Sequence, residues 1–227
     1  MPCGELPSPH KQQCRSDGVM LLRGLNVAVT MEGGWIVAVG ASGGDGLENI
    51  CALMSALPAD LDAIVMIVLH RPWGEPSQLQ EVLSRRSAMP IVIATQGDRL
   101  APGTAYIGEP SVHLTLLQRR FAFLTGDPDR IYGNRTVDLL FQSVADCGGS
   151  QTIGVVLSGS LDDGSRGLAA IHNAGGNTMV VRPPTKSTNS MPTNAIAYDG
   201  PVSVIGSEAE LGSAITRLVT GDSECPI

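Results

Sequence analysis

The sequence predicts an α/β fold: a doubly wound, mostly parallel sheet flanked by helices, with a small β-hairpin insertion. Nearly continuous apolar runs, such as Ala63–Leu69 and residues 152–157, are typical of strands that are buried on both faces. Segments with helical periodicity alternate with these runs, which favours right-handed β-α-β crossovers. Aromatic residues are only 4% of the chain and glycines number 27, so the core is expected to be aliphatic and closely packed.

The predicted elements follow one another from Trp35 onward. Pro58 and the polar residues after it end the first predicted helix, and Asn189-Ser190-Met191-Pro192 opens a short later one. The predicted strands cover residues 36–41, 63–69, 90–94, 152–157, 178–181 and 202–205, and the predicted helices cover 47–57, 77–86, 136–146, 166–174 and 208–218.

The middle of the chain, residues 97–128, has a different character. Three short β patterns, at 104–107, 113–116 and 121–124, are separated by turn signals such as Ala101-Pro102-Gly103. Short strands separated in this way predict a hairpin insertion beside the main sheet.

Composition limits the domain organisation and the class of protein. Residues 1–34 are rich in Pro, Gly, Gln and charge, which predicts a flexible leader before one domain at 35–220 and a tail at 221–227. The net charge of −7 argues against nucleic acid as the main partner. No apolar run is long enough for a membrane span, so the protein is expected to be cytoplasmic and not membrane-inserted. Its five cysteines form no C-x-x-C pair, and no motif calls for a metal or a cofactor.

A glycine-rich turn follows the first predicted strand. Residues 40–44 read G-A-S-G-G, which matches the G-x-S-x-G pattern of a tight strand-to-helix turn that has a serine, Ser42, at its tip. The helix after the turn would direct free N–H groups and its positive end toward the same place. Such a turn can hold a nucleophile, bind an anion, or simply connect two elements; the G-x-G-x-x-G order of dinucleotide sites is not met.

Three predicted strands end in residues that can act together. Ser42 and His70 each follow a strand, and a third strand leads to Asp162 and Asp163. The carboxyl ends of parallel strands share one edge, so a nucleophile, a base and an orienting carboxylate are expected there. The order Ser, His, Asp differs from that of α/β-hydrolases. A core role for His70 and a helix-cap or turn role for Asp163 remain open, and His113 is a candidate for the rim of the site.

The motifs also resemble one family in their order and spacing. The motifs are VAVGASGG at 37–44, VLH at 68–70, PGTAYIG at 102–108, HL at 113–114, VVLSGSLDDGSRGL at 155–168 and MP at 191–192. With these motifs the sequence resembles, over about residues 35–218, the catalytic domain of the chemotaxis-type protein-glutamate methylesterases.

The resemblance implies a serine hydrolase that removes methyl groups from γ-glutamyl methyl esters on the cytoplasmic helices of bacterial chemoreceptors, and that deamidates certain glutamines. It implies Ser42 as the nucleophile, His70 as the general base and Asp163 as the residue that orients His70. Backbone N–H groups of Gly43 and of the Gly159-Ser160 turn are expected to stabilise the oxyanion. No cofactor is implied.

Three departures from the family pattern concern regulation and substrate choice. The pattern begins at Trp35, so control by an N-terminal phosphoacceptor domain of about a hundred residues is expected to be absent from this chain. One extra residue near Asp45 either supplies a charge at the helix start or crowds the oxyanion site. The family's N-R-H-R-P segment is reduced, and Arg135 is expected to help bind an acidic receptor helix. A related esterase with another substrate and a non-catalytic binding domain remain the alternatives.

Overall fold

The computed structural model describes residues 34–72, 77–129, 131–132, 135–184, 189–198 and 200–221. The predicted leader, residues 1–34, and the predicted tail, residues 221–227, lie outside this part except for one residue each. The strands of the described part are β1 (Trp35–Ala41), β2 (Ala63–Leu69), β3 (Ile91–Ile93), β4 (Thr104–Ile107), β5 (Val112–Leu117), β6 (Phe121–Gly126), β7 (Thr152–Val156), β8 (Asn177–Val181) and β9 (Val204–Gly206). Its helices are α1 (Gly46–Ala56), α2 (Leu79–Ser84), α3 (Thr136–Gly148), α4 (Ser165–Asn173), α5 (Met191–Ala197) and α6 (Glu208–Thr220).

Seven of these strands form one parallel sheet in the order β3-β4-β2-β1-β7-β8-β9. At its centre, Val39 of β1 lies opposite Ile67 of β2 on one side and Val155 of β7 on the other. All five residues of β7, and six of seven in both β1 and β2, are buried, which explains the apolar runs in the sequence.

Two apolar layers cover the two faces of the sheet. Val37 and Val39 of β1 belong to one layer, together with buried residues of α1, α2 and α6. Ile36 and Ala38 belong to the other, with residues of α3, α4, α5 and β5. Successive side chains of a strand point to opposite faces, so each central strand contributes to both layers. The predicted doubly wound α/β class is confirmed.

The predicted insertion is smaller than expected. Residues 104–107 were expected to belong to it, but this prediction is wrong: β4 lies in the main sheet, parallel to both β2 and β3, with Tyr106 opposite Met66. A short β pattern indicates a strand but does not identify its partners. The insertion is the β5–β6 hairpin, whose turn residues Gln118 and Arg119 both have positive φ, as tight hairpin turns require.

The strand order creates a crevice beside β1. From β1 the chain first builds the β2, β4 and β3 side of the sheet, and α3 then leads it to β7 on the opposite side. Loops at the carboxyl ends of β1 and β7 therefore diverge. In open α/β sheets, ligands bind at such a point.

Close packing between α3 and β1 predicts a large effect of one added methyl group. A Cβ atom at Gly40 would lie 2.2 Å from Cγ1 of Val137, the second residue of α3. Gly40→Ala is therefore expected to lower the free energy of unfolding by about 1–3 kcal/mol, the usual cost of overpacking. Chemical denaturation measures this change.

Two further variants serve as controls for this prediction. Gly44→Ala adds the same methyl group where no atom lies within 4 Å, and it should leave stability nearly unchanged. Combining Gly40→Ala with Val137→Ala should cost less than the sum of the two single changes, because the clash is removed. Equal stability of the Gly40 and Gly44 variants would contradict the prediction.

Candidate active site

Ser42 lies directly after β1, at the turn into α1. Its backbone N–H donates to the carbonyl oxygen of Ser158 at 2.8 Å, which ties this turn to the loop after β7. Gly43 has φ +78°, and the Gly43 carbonyl accepts the N–H of Gly46 at 3.2 Å where α1 begins. The structure thus places Ser42, half-buried, at the crevice that the strand order creates.

His70 follows β2, the strand next to β1. Its backbone N–H donates to the carbonyl oxygen of Ala41 at 3.0 Å, so His70 lies beside the Ser42 turn. Its ring Nε2 is 2.6 Å from Oδ2 of Asp163, and the two side chains are 16% and 5% exposed. In a neutral imidazole one nitrogen donates and the other accepts. With Nε2 donating to the carboxylate, Nδ1 is the nitrogen that can accept a proton.

The carboxylate of Asp163 also receives two backbone N–H groups. Val137 donates to Oδ2 at 2.9 Å and Asp138 to Oδ1 at 2.8 Å, both from the first turn of α3. These donors have no partner within the helix, and the positive end of the helix favours an anion. Asp163 is therefore a helix cap, as one interpretation predicted, but for α3 and not for α4, which follows it in the chain. The same carboxylate contacts the ring of His70.

Asp138 makes the reciprocal interaction: it lies in α3 and caps the start of α4. This role was not predicted from the sequence. Its Oδ1 accepts the N–H groups of Gly164 and Gly167 at 3.0 and 2.9 Å, at the start of α4. Its Oδ2 is 3.1 Å from Nη1 of Arg135. Burial raises the pKa of Asp138, and the nearby charge of Asp163 adds to this, while the N–H donors and Arg135 oppose it. The signal in the sequence is a carboxylate directly after Val137, beside the apolar face of the predicted helix.

Two cavities meet at Ser42. One, of about 320 Å³, is lined by Ser42 together with His70, Ile131, Tyr132, Arg135, Ser160, Leu161, Asp162 and Asp163. The other, of about 560 Å³, is lined by Ser42, Gly43, Gly44, Asp45, Asn49, Ser158, Gly159, Ser160, Arg182, Ser190 and several neighbours. Ser42 and Ser160 line both. A substrate that reaches Ser42 can therefore extend in two directions.

The three residues predicted near the oxyanion all lie beside Ser42. A Cβ atom at Gly159 would be 2.8 Å from Cβ of Ser42, so only a glycine allows this approach. The Gly159 carbonyl accepts the N–H of Met191 at 2.9 Å, which holds the loop against α5. Among the described residues, no backbone carbonyl accepts the N–H of Gly43 or of Ser160. These two N–H groups are available to a bound oxygen.

Arg135 lies in the smaller cavity but is already engaged. Its guanidinium contacts Asp138, and its Nη2 is 3.9 Å from Oδ2 of Asp162. The side chain is 40% exposed. The carboxylates of Asp138 and Asp162 therefore balance the positive charge of Arg135, which was predicted to bind an acidic receptor helix.

Asp45 does not cap α1 by a hydrogen bond. It occupies the N-cap position with φ −81° and ψ −12°, and its side chain makes no capping contact. The residue is exposed and lines the larger cavity. The extra residue thus adds a carboxylate to the wall of the cavity beside Ser42.

His113 lies behind the rim of the site and not on it. It is 3% exposed, and its Nε2 is 3.3 Å from Oδ2 of Asp127. The same Asp127 accepts the N–H groups of Ile131 and Tyr132 at 2.7 and 2.9 Å. The His113 ring meets the Tyr132 ring edge-on, with centroids 5.9 Å apart. The buried His113–Asp127 pair therefore holds Ile131 and Tyr132 in place at the smaller cavity.

The described residues contain neither a metal site nor a membrane-spanning helix. No group of three or more His, Cys, Asp or Glu side chains in those ranges is placed to hold a metal ion. Within the same part of the chain, no helix is long and apolar enough to cross a membrane.

Comparison with known proteins gives concordant matches. The family model described as CheB methylesterase matches residues 37–215. A solved structure, the CheB methylesterase catalytic domain of Thermotoga maritima, superposes with a TM-score of 0.74 at 26% identity, covering 82% of this chain and 99% of that one.

Curated relatives agree with this family. A protein-glutamate methylesterase/protein-glutamine glutaminase of Paramagnetospirillum magneticum is 34% identical over 146 residues, 64% of this chain and 41% of its own. One of Anaeromyxobacter dehalogenans is 34% identical over 172 residues, 75% of this chain and 49% of its own. The chain thus spans less than half the length of these relatives.

The reciprocal capping by Asp138 predicts different effects of two substitutions. Asp138→Ala leaves the N–H groups of Gly164 and Gly167 without their acceptor and should lower the free energy of unfolding by about 1–2 kcal/mol. Asp138→Asn keeps a carbonyl oxygen for both donors and should cost less. Denaturation of both variants measures the difference, and equal losses would contradict a capping role.

The same pair predicts a pH dependence. Because the pKa of Asp138 is raised in the folded protein, the folded state holds this proton more tightly than the unfolded chain does. The resulting contribution to stability is complete below the unfolded pKa and is lost as pH rises through the folded pKa. Relative to wild type, Asp138→Asn should therefore gain stability as pH rises from below about 4 to neutral. A constant difference across this range would contradict the expected sign.

Proposed function

Because the chain belongs to the CheB methylesterase family, we propose that it hydrolyses γ-glutamyl methyl esters on the cytoplasmic helices of chemoreceptors. The products are a glutamate side chain and methanol. One observation carries the proposal: Ser42 shares a cavity with a His70–Asp163 pair whose side chains meet at 2.6 Å. That arrangement is a nucleophile, a base and a carboxylate that orients the base.

In the first half of the reaction, the Ser42 hydroxyl attacks the ester carbonyl while His70 Nδ1 takes its proton. Asp163 stabilises the imidazolium that forms, since its carboxylate is held in place by α3. The N–H groups of Gly43 and Ser160 stabilise the oxyanion. Removing one such donor typically costs about 2.7–4 kcal/mol of transition-state stabilisation. His70 then returns the proton to the departing methoxide, and methanol leaves.

In the second half, water replaces methanol. The acyl-enzyme is an ester between Ser42 and the γ-carboxyl of the substrate glutamate. His70 takes a proton from a water molecule as it attacks this ester, and the Ser42 oxygen leaves with that proton. The same steps convert a glutamine side chain to glutamate with loss of ammonia, which fits the second half of the relatives' names.

The proposed reaction also implies a partner and a place of action. The esterified side chain belongs to a chemoreceptor helix in the cytoplasm, so the protein acts there. The proposed catalytic domain is residues 35–220, and the family match at 37–215 lies within it.

Gly159 belongs to the proposed site because it lets the loop after β7 approach Ser42.

A second candidate function is an esterase of the same mechanism with a different substrate. Asp45 adds a carboxylate to the larger cavity, and the charge of Arg135 is balanced by Asp138 and Asp162. Both features disfavour an acidic substrate segment. Assays that compare substrates separate the two candidates.

The first prediction is that the purified protein releases methanol from methylated chemoreceptor and that Ser42→Ala abolishes this release. Ser213→Ala is the matched control, because its hydroxyl bonds only a carbonyl within α6 and should not matter. Gas chromatography of methanol measures the reaction. Absence of release by folded wild-type protein would remove the receptor from the proposal and favour the second candidate.

The second prediction concerns two adjacent aspartates. Asp163→Asn presents an amide where three donors converge, so the turnover rate should fall by about 10³–10⁴-fold. Asp162→Asn is the comparison: its side chain is 53% exposed and lies 3.9 Å from Arg135, so any effect should appear in KM and not in the turnover rate. Similar rates for the two variants would exclude the proposed role of Asp163.

A further inference from the structure

Leu161 has an unusual backbone conformation at the edge of the candidate active site. Its φ is +69°, in the left-handed region that costs free energy for any residue with a Cβ atom. The other non-glycine residues with positive φ in the described part are Gln118 and Arg119, which form the turn of the β5–β6 hairpin. That turn type explains their conformation, but Leu161 is in no hairpin turn.

The hydrogen bonds that hold this loop use backbone carbonyl groups of Leu161 and Gly159. The Leu161 carbonyl accepts a hydrogen bond from Nδ2 of Asn194 at 2.6 Å, and Gly159 is held by Met191. The side chain itself is 54% exposed. A glycine would make the same backbone contacts without the conformational cost. Strain at an exposed side chain points to a role outside the folded chain itself.

Leu161 lines the smaller cavity together with Ile131 and Tyr132. These two are 78% and 45% exposed, and all three share the cavity with Ser42 and His70. The backbone of Ile131 and Tyr132 is fixed by hydrogen bonds to the buried Asp127. We call Leu161, Ile131 and Tyr132 the apolar rim.

The surroundings of the apolar rim favour an apolar partner over a charged one. The guanidinium of Arg135, in the same cavity, contacts Asp138 and lies near Asp162, so its charge is balanced within the protein. The rim is also continuous with the nucleophile, because both line one cavity. Its occupant therefore belongs to the molecule that carries the ester.

We propose that the apolar rim binds apolar side chains of the substrate protein that flank the scissile ester on an amphipathic helix. On a helix, residues three and four positions apart lie on the same face, about 5–6 Å from one another. An esterified side chain that enters the cavity thus brings its neighbours from adjacent turns onto the rim. This proposal rests on the proposed function. It adds that contacts between the apolar rim and the residues flanking the ester decide which substrate is bound.

Leu161→Gly provides the test, because it removes the side chain and the backbone strain together. Its thermal unfolding midpoint should equal or exceed that of wild type. Its kcat/KM for methylated chemoreceptor should fall about tenfold, mainly through KM, as expected for a lost apolar contact. Hydrolysis of p-nitrophenyl acetate, which carries no flanking helix residues, should be unchanged.

Three further variants separate the side chain from the backbone. Leu161→Asn keeps a residue that tolerates the left-handed conformation but removes the apolar contact, so it should behave as Leu161→Gly does. Leu161→Met keeps an apolar side chain and should retain most of the wild-type kcat/KM for methylated chemoreceptor. Leu117→Ala is the matched control, because Leu117 is 42% exposed, lies outside this cavity and should not affect KM.

The possible failures are distinguishable. If wild type releases methanol from the receptor and Leu161→Gly does so with the same KM, the apolar rim is refuted while the proposed function stands. Equal losses on the receptor and on p-nitrophenyl acetate would instead assign Leu161 to the shape of the catalytic loop. A wild-type dimer that Leu161→Gly dissociates would show that a second copy occupies the rim. Absence of any release by wild type would overturn both proposals.

Discussion

The candidate site depends on the hydrogen bonds that the carboxylate of Asp163 makes. This carboxylate accepts two N–H groups from the first turn of α3 and contacts the ring of His70, so one anion joins a helix to a strand end. Such charge-assisted hydrogen bonds are among the strongest in proteins. Asp138 completes the arrangement by accepting two N–H groups at the start of α4. Each helix thus receives its cap from the segment of the other.

The sheet supplies the framework for this exchange. Neighbouring strands β2, β1 and β7 deliver His70, Ser42 and the loop containing Asp163 to one edge. Gly40 lets α3 approach β1 closely, and Gly159 lets the loop after β7 approach Ser42. Small residues at these two positions therefore allow the polar groups to meet. The positions of these side chains therefore depend on how closely the backbone segments pack at the two glycines.

The two cavities give the site an asymmetric environment. The smaller contains the His70–Asp163 pair and the apolar rim, whereas the larger carries Asp45, Arg182 and a series of small polar residues. Ser42 and Ser160 belong to both. The smaller cavity therefore combines the candidate catalytic pair with the proposed apolar rim, and the larger cavity surrounds the same serine with charged and polar groups. A change in the apolar rim or in the larger cavity can alter the substrate without touching His70 or Asp163.

The sequence determined the fold class and most element positions, because apolar runs and helical periodicity are local patterns that persist in the structure. It also identified Ser42, His70 and Asp163 as candidates, since each follows a predicted strand, and their catalytic roles remain predictions. The leader and tail remain predictions as well. Residues 104–107 were assigned to the wrong sheet, because a strand of four residues does not encode its partners.

Only the tertiary structure decided which groups meet. His70 and Asp163 are 93 positions apart, and Asp138 reaches Gly164 across 26. The burial of His113 and the left-handed conformation of Leu161 depend on contacts with Asp127 and Asn194 that no local pattern reports. A hydrogen bond depends on distance and direction in space, and side-chain periodicity along the chain records only which face is buried. The sequence therefore indicates the candidate groups, and packing decides which of them meet.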